Sequence, residues 1–438
     1  MKFKISTLKI ALVISIFLFL YFLYKDLTAA DSLKGYYITQ GYLFIFLSAI
    51  LFILNFFNKK IQIYFLIILS SSIFSFYLFE SYIYYKGGIK LFPDNESTWE
   101  NRIIALQKEI KKEGGFPTIS IKNENLMSLS GISNSKIVQC NESGFYAKYN
   151  SDRNGFRNPD YVWDYDVLDI AILGDSHVHG DCVKEGNDVS SQIRKLTDLN
   201  IINVGWRGTG PLRQYANFRE YMKKKPRYIF WWYYETDIYD LKDELKNEIL
   251  IKYLEDEEYG QNLINRRAEI DSLIEEEFEN FMKTSFKATE INKFKNLISF
   301  IKLYKTRQII LTKLSYFSKS NENTKIDLTN DNILKSYFEI VEKMKKLAEK
   351  NNSKLVLVFI PAFKYEFSYN GIYFKNIKKE IFHKMKKNNI GIIDIEKLIK
   401  ENYIFPNVLY PKLSTEYHFN KKGYRFVAEQ VAEYIAKN

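Results

Sequence analysis

The chain has 438 residues, 46% hydrophobic and 26% charged, with only 8 Pro and 19 Gly. That balance excludes a disordered or fibrous protein, and a mean hydropathy of -0.26 excludes a polytopic transporter. The net charge of +11 does not mark a nucleic-acid binder. Residues 1–90 carry nine Lys against three acids, so the remaining sequence holds only a mild excess of mixed sign.

The N-terminal region, 1–90, opens with three apolar runs. Read with their flanks they predict membrane helices over about 5–24, 37–57 and 61–85, since a span needs about 20 mostly apolar residues. Lys9 reaches the headgroups from the first run. A signal peptide is the rival for that run, but Thr28-Ala29-Ala30 is a poor cleavage site and further apolar runs follow. Lys2, Lys4 and Asn58-Lys59-Lys60 place the N-terminus and the second loop in the cytoplasm. The third helix then exits outward, so residues 91–438 are expected in the periplasm or outside the cell. There Cys140 and Cys182 meet oxidising conditions suited to a disulfide. Bonded, they would close a loop over the serine turn described below; two buried thiols are the alternative.

Residues 91–160 read as an irregular lead-in with turns at Asn154-Gly155 and Asn158-Pro159. A βα rhythm follows. Strands are predicted at 169–173, 200–204, 227–234, 354–360 and 390–395, with helices at 187–196, 213–224 and 421–436. Short apolar strands alternating with helices imply an α/β domain with a parallel sheet, and sites on such sheets lie at the strands' carboxyl ends. The charged stretch 241–350 reads as a helical insertion serving as lid, dimer surface or spacer.

The first strand runs into Gly174-Asp175-Ser176-His177. A serine in a strand-to-helix turn presents its hydroxyl at the top of the sheet, and the helix start offers N–H groups to a developing oxyanion. The plainer reading is a helix cap with Asp175 holding the turn. The second strand ends in Asn203-Val204-Gly205-Trp206-Arg207-Gly208, where glycines allow close backbone approach. The third ends in Glu235-Thr236-Asp237. Near the C-terminus stands Glu416-Tyr417-His418. In an extended stretch Glu416 and His418 face the same way. Ser176, His418 and Glu416 thus supply nucleophile, base and orienting acid. His177-x-His179 would share a side only if extended, whereas the segment reads as a helix start, so no metal site is expected. His383 sits on a Lys-rich helix and reads as a surface residue.

Over roughly residues 150–438 these blocks resemble the SGNH superfamily, the GDSL-like hydrolases. The resemblance implies a flavodoxin-like domain with Ser176 as nucleophile in the G-D-S block and His418 as the base. Asn203 to Gly208 match the N-x-G-x-x-G block, which implies an oxyanion site drawing on Asn203 and the Gly208 N–H. Asp175 and Asp237 would support the site. The segment Asp152-Arg153-Asn154-Gly155-Phe156-Arg157-Asn158 is similar to that preceding the serine in envelope members. Two blocks depart from the pattern. Thr236 stands where the family has an oxyanion Asn, and offers a shorter, differently aimed hydroxyl donor to the oxyanion. The acid usual three residues before the His is Thr415 here, while Glu416 occupies the position that some sugar-modifying members use.

The resemblance implies a membrane-anchored esterase or O-acyltransferase acting on acyl, chiefly acetyl, esters of envelope carbohydrate. No cofactor or nucleic acid is implied, and a transferase would need a membrane partner to deliver acyl groups. The alternative is a protein of the same fold, weak or inactive as a catalyst, that binds or assembles envelope polysaccharide. A channel reading fails on the single intramembrane acid, Glu80.

Overall fold

The computed structural model describes residues 7–28, 36–86, 99–288, 294–307, 310, 332–361, 370–404, 406–411 and 418–438. They form two compact units, Met1–Tyr82 and Ile83–Asn438.

The first unit is helical: α1 (Thr7–Leu27), α2 (Tyr36–Leu54) and the greater part of α3 (Lys59–Lys86). Leu51 and Leu54 are buried with Leu12, Leu47 and Phe65 packed against them, and the hydroxyls of Ser15 and Ser48 meet at 2.7 Å. The expectation of three spanning helices is corrected here. Among the described residues one helix, Lys59–Tyr85, is long and apolar enough to cross a membrane, with mean hydropathy 1.8. The first helix is uncharged only between Lys9 and Lys25, and the apolar part of the second is Phe44–Leu54, both short of about 20 residues.

The second unit opens with structure where the sequence suggested irregular chain. Helix α4 (Trp99–Glu113) turns Ile103 and Ile110 inward. Strands β1 (Lys136–Val138) and β2 (Lys148–Asn150) pair antiparallel with Ile137 opposite Tyr149. Their connecting loop carries Cys140 and Glu142.

The α/β core then follows in chain order as β3 (Ile170–Leu173), α5 (Ser176–His179), α6 (Val189–Leu196), β4 (Ile201–Asn203), α7 (Pro211–Tyr221) and β5 (Tyr228–Tyr234). Next come α8 (Asp237–Glu244), α9 (Glu248–Glu255), α10 (Arg267–Lys283), α11 (Lys295–Ile301) and α12 (Asn332–Lys350). The chain closes with β6 (Lys354–Ile360), α13 (Asn370–Lys387), β7 (Gly391–Asp394), α14 (Ile395–Asn402) and α15 (Lys421–Lys437). The five strands stand in the order β4-β3-β5-β6-β7, and every pair is parallel. Counted within the core this is the flavodoxin-like 2-1-3-4-5 arrangement.

The near-continuous apolar strands follow from burial on both faces. On β5, Ile229, Trp231 and Tyr233 enter one core while Tyr228, Phe230 and Trp232 enter the other. Side chains alternate faces along a strand, so each run feeds both layers. Helices described within 241–350 pack into the core. Leu250 and Tyr253 of α9, Ile270 and Ile274 of α10, and Tyr337, Ile340 and Met344 of α12 all belong to the first core. Helix α12 supplies the crossover between β5 and β6, which a parallel pair requires.

Candidate active site

The chain turns one way from β3 to β4 and the other way to β5, so a crevice opens at the carboxyl end of β3, where ligands bind in such sheets. Gly174 and Gly205 make the turn there possible. A Cβ on Gly174 would lie 2.5 Å from Val178 Cγ2, and one on Gly205 2.3 Å from Val178 Cγ1. Only glycine lets both loops close on the short helix α5. The Gly174 carbonyl ties the loops together, accepting from Trp206 N–H at 3.1 Å and from the Thr209 hydroxyl at 3.3 Å.

Asp175 caps α5, accepting the His177 N–H at 3.0 Å, and its second oxygen lies 3.2 Å from the Ser176 hydroxyl. Burial pushes its carboxyl up to about 6. Ser176 follows as the first helical residue. Its Oγ is 2.8 Å from His418 Nε2. His418 Nδ1 is in turn 2.8 Å from Glu142 Oε1. Hydroxyl, imidazole and carboxylate therefore form one continuous relay across three separate segments.

The carboxylate that meets His418 is one the sequence did not single out. Glu416 lies outside the described residues, and the carboxylate against Nδ1 is Glu142, on the β1–β2 loop. Its separation of 276 residues from His418 hid it from any local pattern. One signal was available. Cys140 and Cys182 are disulfide-bonded, and Cys182 lies close behind Ser176 in sequence, so that bond draws Glu142 toward the serine turn. Gln139 secures the same loop by donating to Asp181 and by accepting the Cys182 N–H at 3.3 Å.

The field at His418 is strongly negative. Burial works against a charged ring, but Glu142, then Asp181 and Asp175, outweigh it and push His418 up to about 9. Asp181 is fully buried. Burial opposes its charge, yet Arg207, 3.3 Å away, and His179 hold it well below the usual carboxylate range. His177 and His179 face different surroundings. The His177 ring is buried beside Tyr234, His418 and Phe419. His179 Nε2 meets the Tyr149 hydroxyl at 2.7 Å, and its Nδ1 lies 3.1 Å from Asp181. Burial drives both rings toward the neutral form. Glu142, Cys182 and His418 gather metal-type donor atoms, but the Cys182 sulfur is committed to its disulfide.

The oxyanion candidates separate in the structure. Gly208 has φ +64 and open space where a Cβ would lie, and among the described residues no hydrogen bond engages its N–H or that of Ser176. Thr236 stands at the carboxyl end of β5 and its hydroxyl does not cap α8. Asn203, expected among the oxyanion residues, is occupied elsewhere. Its amide donates to the Val178 carbonyl at 2.7 Å and to Ser190 Oγ at 3.2 Å, while its Oδ1 accepts the Gly205 N–H at 2.8 Å. It fastens the two loops rather than facing the crevice. Asp237 is buried and accepts the Tyr234 N–H at 3.2 Å, so it steadies the end of β5, and burial raises its carboxyl well above the usual range.

The lead-in 152–158 docks onto this frame. Asn158 exchanges two hydrogen bonds with the backbone of Asn203, at 2.8 and 3.0 Å, as an added strand would. Arg157 donates to the carbonyls of Gly180 and Val183, behind α5. Asp152 holds the turn by accepting from the N–H groups of Asn154 and Phe156.

No family model and no curated protein matches the chain. Among solved structures, the chain is similar to the lipase/acylhydrolase from Enterococcus faecalis. That likeness has 12% identity and a TM-score of 0.33, over 61% of this chain and 95% of the other. The functional reading rests on the geometry of Ser176, His418 and Glu142.

Proposed function

We propose that the chain is a membrane-anchored serine esterase or O-acyltransferase acting on acyl esters, acetyl esters among them, of cell-envelope carbohydrate. The observation that carries this is the pair of 2.8 Å contacts through which His418 bridges Ser176 and Glu142. A serine hydroxyl needs such a base, and the base needs an acid to fix its tautomer.

In this reading Ser176 Oγ attacks the acyl carbonyl carbon while its proton passes to His418 Nε2. The N–H groups of Ser176 and Gly208 receive the carbonyl oxygen as it gains charge, and Thr236 adds a hydroxyl near the same edge. The tetrahedral adduct collapses, the C–O bond to the alcohol breaks, and His418 Nε2–H protonates the leaving oxygen. Water or a sugar hydroxyl, deprotonated by His418, then attacks the acyl-Ser176 ester. Water gives hydrolysis and a sugar hydroxyl gives transfer. Glu142 accepts Nδ1–H throughout and balances the imidazolium.

The apolar helix Lys59–Tyr85 supports an anchor, and Lys59-Lys60 at its start supports an outward-facing domain. The Cys140–Cys182 bond suits that oxidising side. The test is fluorophosphonate labelling of the full chain beside Ser176→Ala. Labelling that vanishes in the variant is expected. A folded wild-type chain that takes no label would remove the serine mechanism.

A further inference from the structure

A groove of about 930 Å³ opens next to the relay, and among the described residues its lining includes Lys184, Lys421, Lys422 and Arg425 but no Asp or Glu. Its position follows from the chain. Ser143 in its wall adjoins Glu142, Val183 adjoins Cys182, and Asn420 lies two residues past His418. Arg425 pairs with Glu429 at 2.8 Å, but Lys184, Lys421 and Lys422 have no carboxylate partner among the described residues. Two of them lie over rings instead, Lys184 above Phe145 at 4.9 Å and Lys422 above Tyr403 at 5.6 Å. The wall is mostly apolar, as contact with the C–H faces of sugars requires, and the cationic residues among its lining bias it toward an anion.

We propose that this groove seats the backbone of an acidic polysaccharide, with an anionic group such as a carboxylate or phosphate on its repeats, and so presents that polymer's ester to Ser176. The proposal rests on the serine mechanism above. It favours a glycan over a nucleic acid for two reasons. The groove borders a site for acyl esters, which nucleic acids lack. Among the described residues its lining also offers one aromatic ring, Phe145, rather than the run of stacking platforms that single strands use.

The test uses the full chain in detergent micelles with Ser176→Ala, so that binding is measured without turnover. Calorimetric titration with a ten-residue oligogalacturonate, and separately with a poly(glycerol phosphate) oligomer, covers the two anion chemistries. A neutral xylo-oligosaccharide and a thymidine oligonucleotide are the controls. At least one acidic glycan should bind more tightly than both controls, and its affinity should fall as salt rises from about 0.02 to 0.3 M. Added Lys184→Gln, Lys421→Gln and Lys422→Gln should weaken it about tenfold. Equal affinity for the neutral sugar or the oligonucleotide, or a triple variant that binds as before, would overturn the assignment. Fluorophosphonate labelling with Ser176 intact separates the two claims. Labelling without glycan binding removes the groove alone, and binding without labelling removes the serine chemistry and leaves the groove.

Discussion

The sulfur of Cys182 lies 3.9 Å from His418 Nδ1, the same nitrogen that meets Glu142 at 2.8 Å. The disulfide and the acid thus converge on one edge of one imidazole. Cys140 is two residues before Glu142 and Cys182 is six after Ser176, so the bond joins the acid's loop to the serine's helix. Reduction should free that loop. Loss of the disulfide, by a phosphine reductant or as Cys140→Ser with Cys182→Ser, is expected to slow Ser176 labelling by up to roughly a hundred-fold, as a small misplacement in an active site can. Circular dichroism on the same samples must show a folded domain, because removing such a bond also costs about 2–5 kcal/mol of stability. Unchanged labelling in the folded, reduced chain would show that Gln139 holds the loop by itself.

The two candidate acids make opposite predictions. If Glu142 orients His418, Glu142→Gln should lower ester turnover by roughly 10²- to 10⁴-fold, as losing a triad acid does. Glu416→Gln should leave turnover within about twofold, since Nδ1 already has its carboxylate. The reverse pattern, measured as kcat/KM on a p-nitrophenyl ester, would return the acid's role to Glu416.

The charge on His418 sets the pH dependence. Its pKa of about 9 means the ring is protonated at neutral pH, with both nitrogens donating. Ser176 Oγ then faces a donor, and the Ser176 hydroxyl proton turns to Asp175, 3.2 Å away. The base forms only as pH rises, so kcat/KM should climb toward pH 9 rather than level off near 7. Glu142→Gln should move that limb to lower pH even as it lowers the maximum. Stability runs the other way. A histidine whose folded pKa exceeds its unfolded value near 6.5 contributes fully below about 6.5 and loses that contribution as pH rises through about 9. Urea midpoints measured between pH 6 and 10 should therefore fall over the interval in which activity rises. A profile flat above pH 7 would mean that Glu142 does not hold the proton on His418.

What the sequence disclosed and what it hid divide along the range of each interaction. The five parallel strands were visible because burial on both faces writes unbroken apolar runs such as 354–360 into the chain. Ser176 and His418 each sit in a local block, which is why the sequence marks them as candidates. Glu142 was not visible, since nothing within its own segment marks a short loop between three-residue strands as part of a site. The insertion's role was hidden too. The apolar spacing of α12 is the same for a solvent-facing appendage as for a crossover, and only the β5–β6 pairing distinguishes them. Asn203 meets the same limit: the block names the residue, while the direction of its amide depends on Val178 and Ser190, which no spacing reveals.

Asn203 accordingly gives a prediction that separates frame from chemistry. Its side chain makes three buried hydrogen bonds, to Val178, Ser190 and Gly205, and none of them enters the crevice. Asn203→Ala leaves the Val178 carbonyl and the Gly205 N–H without partners, which costs roughly 1–3 kcal/mol for each group left unsatisfied. The urea midpoint should drop by an amount matching about 2–6 kcal/mol in all. An oxyanion donor would behave differently, because its loss lowers kcat by roughly a hundred-fold or more with little change in stability. Labelling rate per folded molecule, read well below the new midpoint, is therefore expected to stay within about fivefold of wild type, the small loss reflecting a looser Gly205–Gly208 loop. A stable variant with a collapsed rate would put Asn203 in the oxyanion site after all, and would require its amide to leave Val178 when substrate binds.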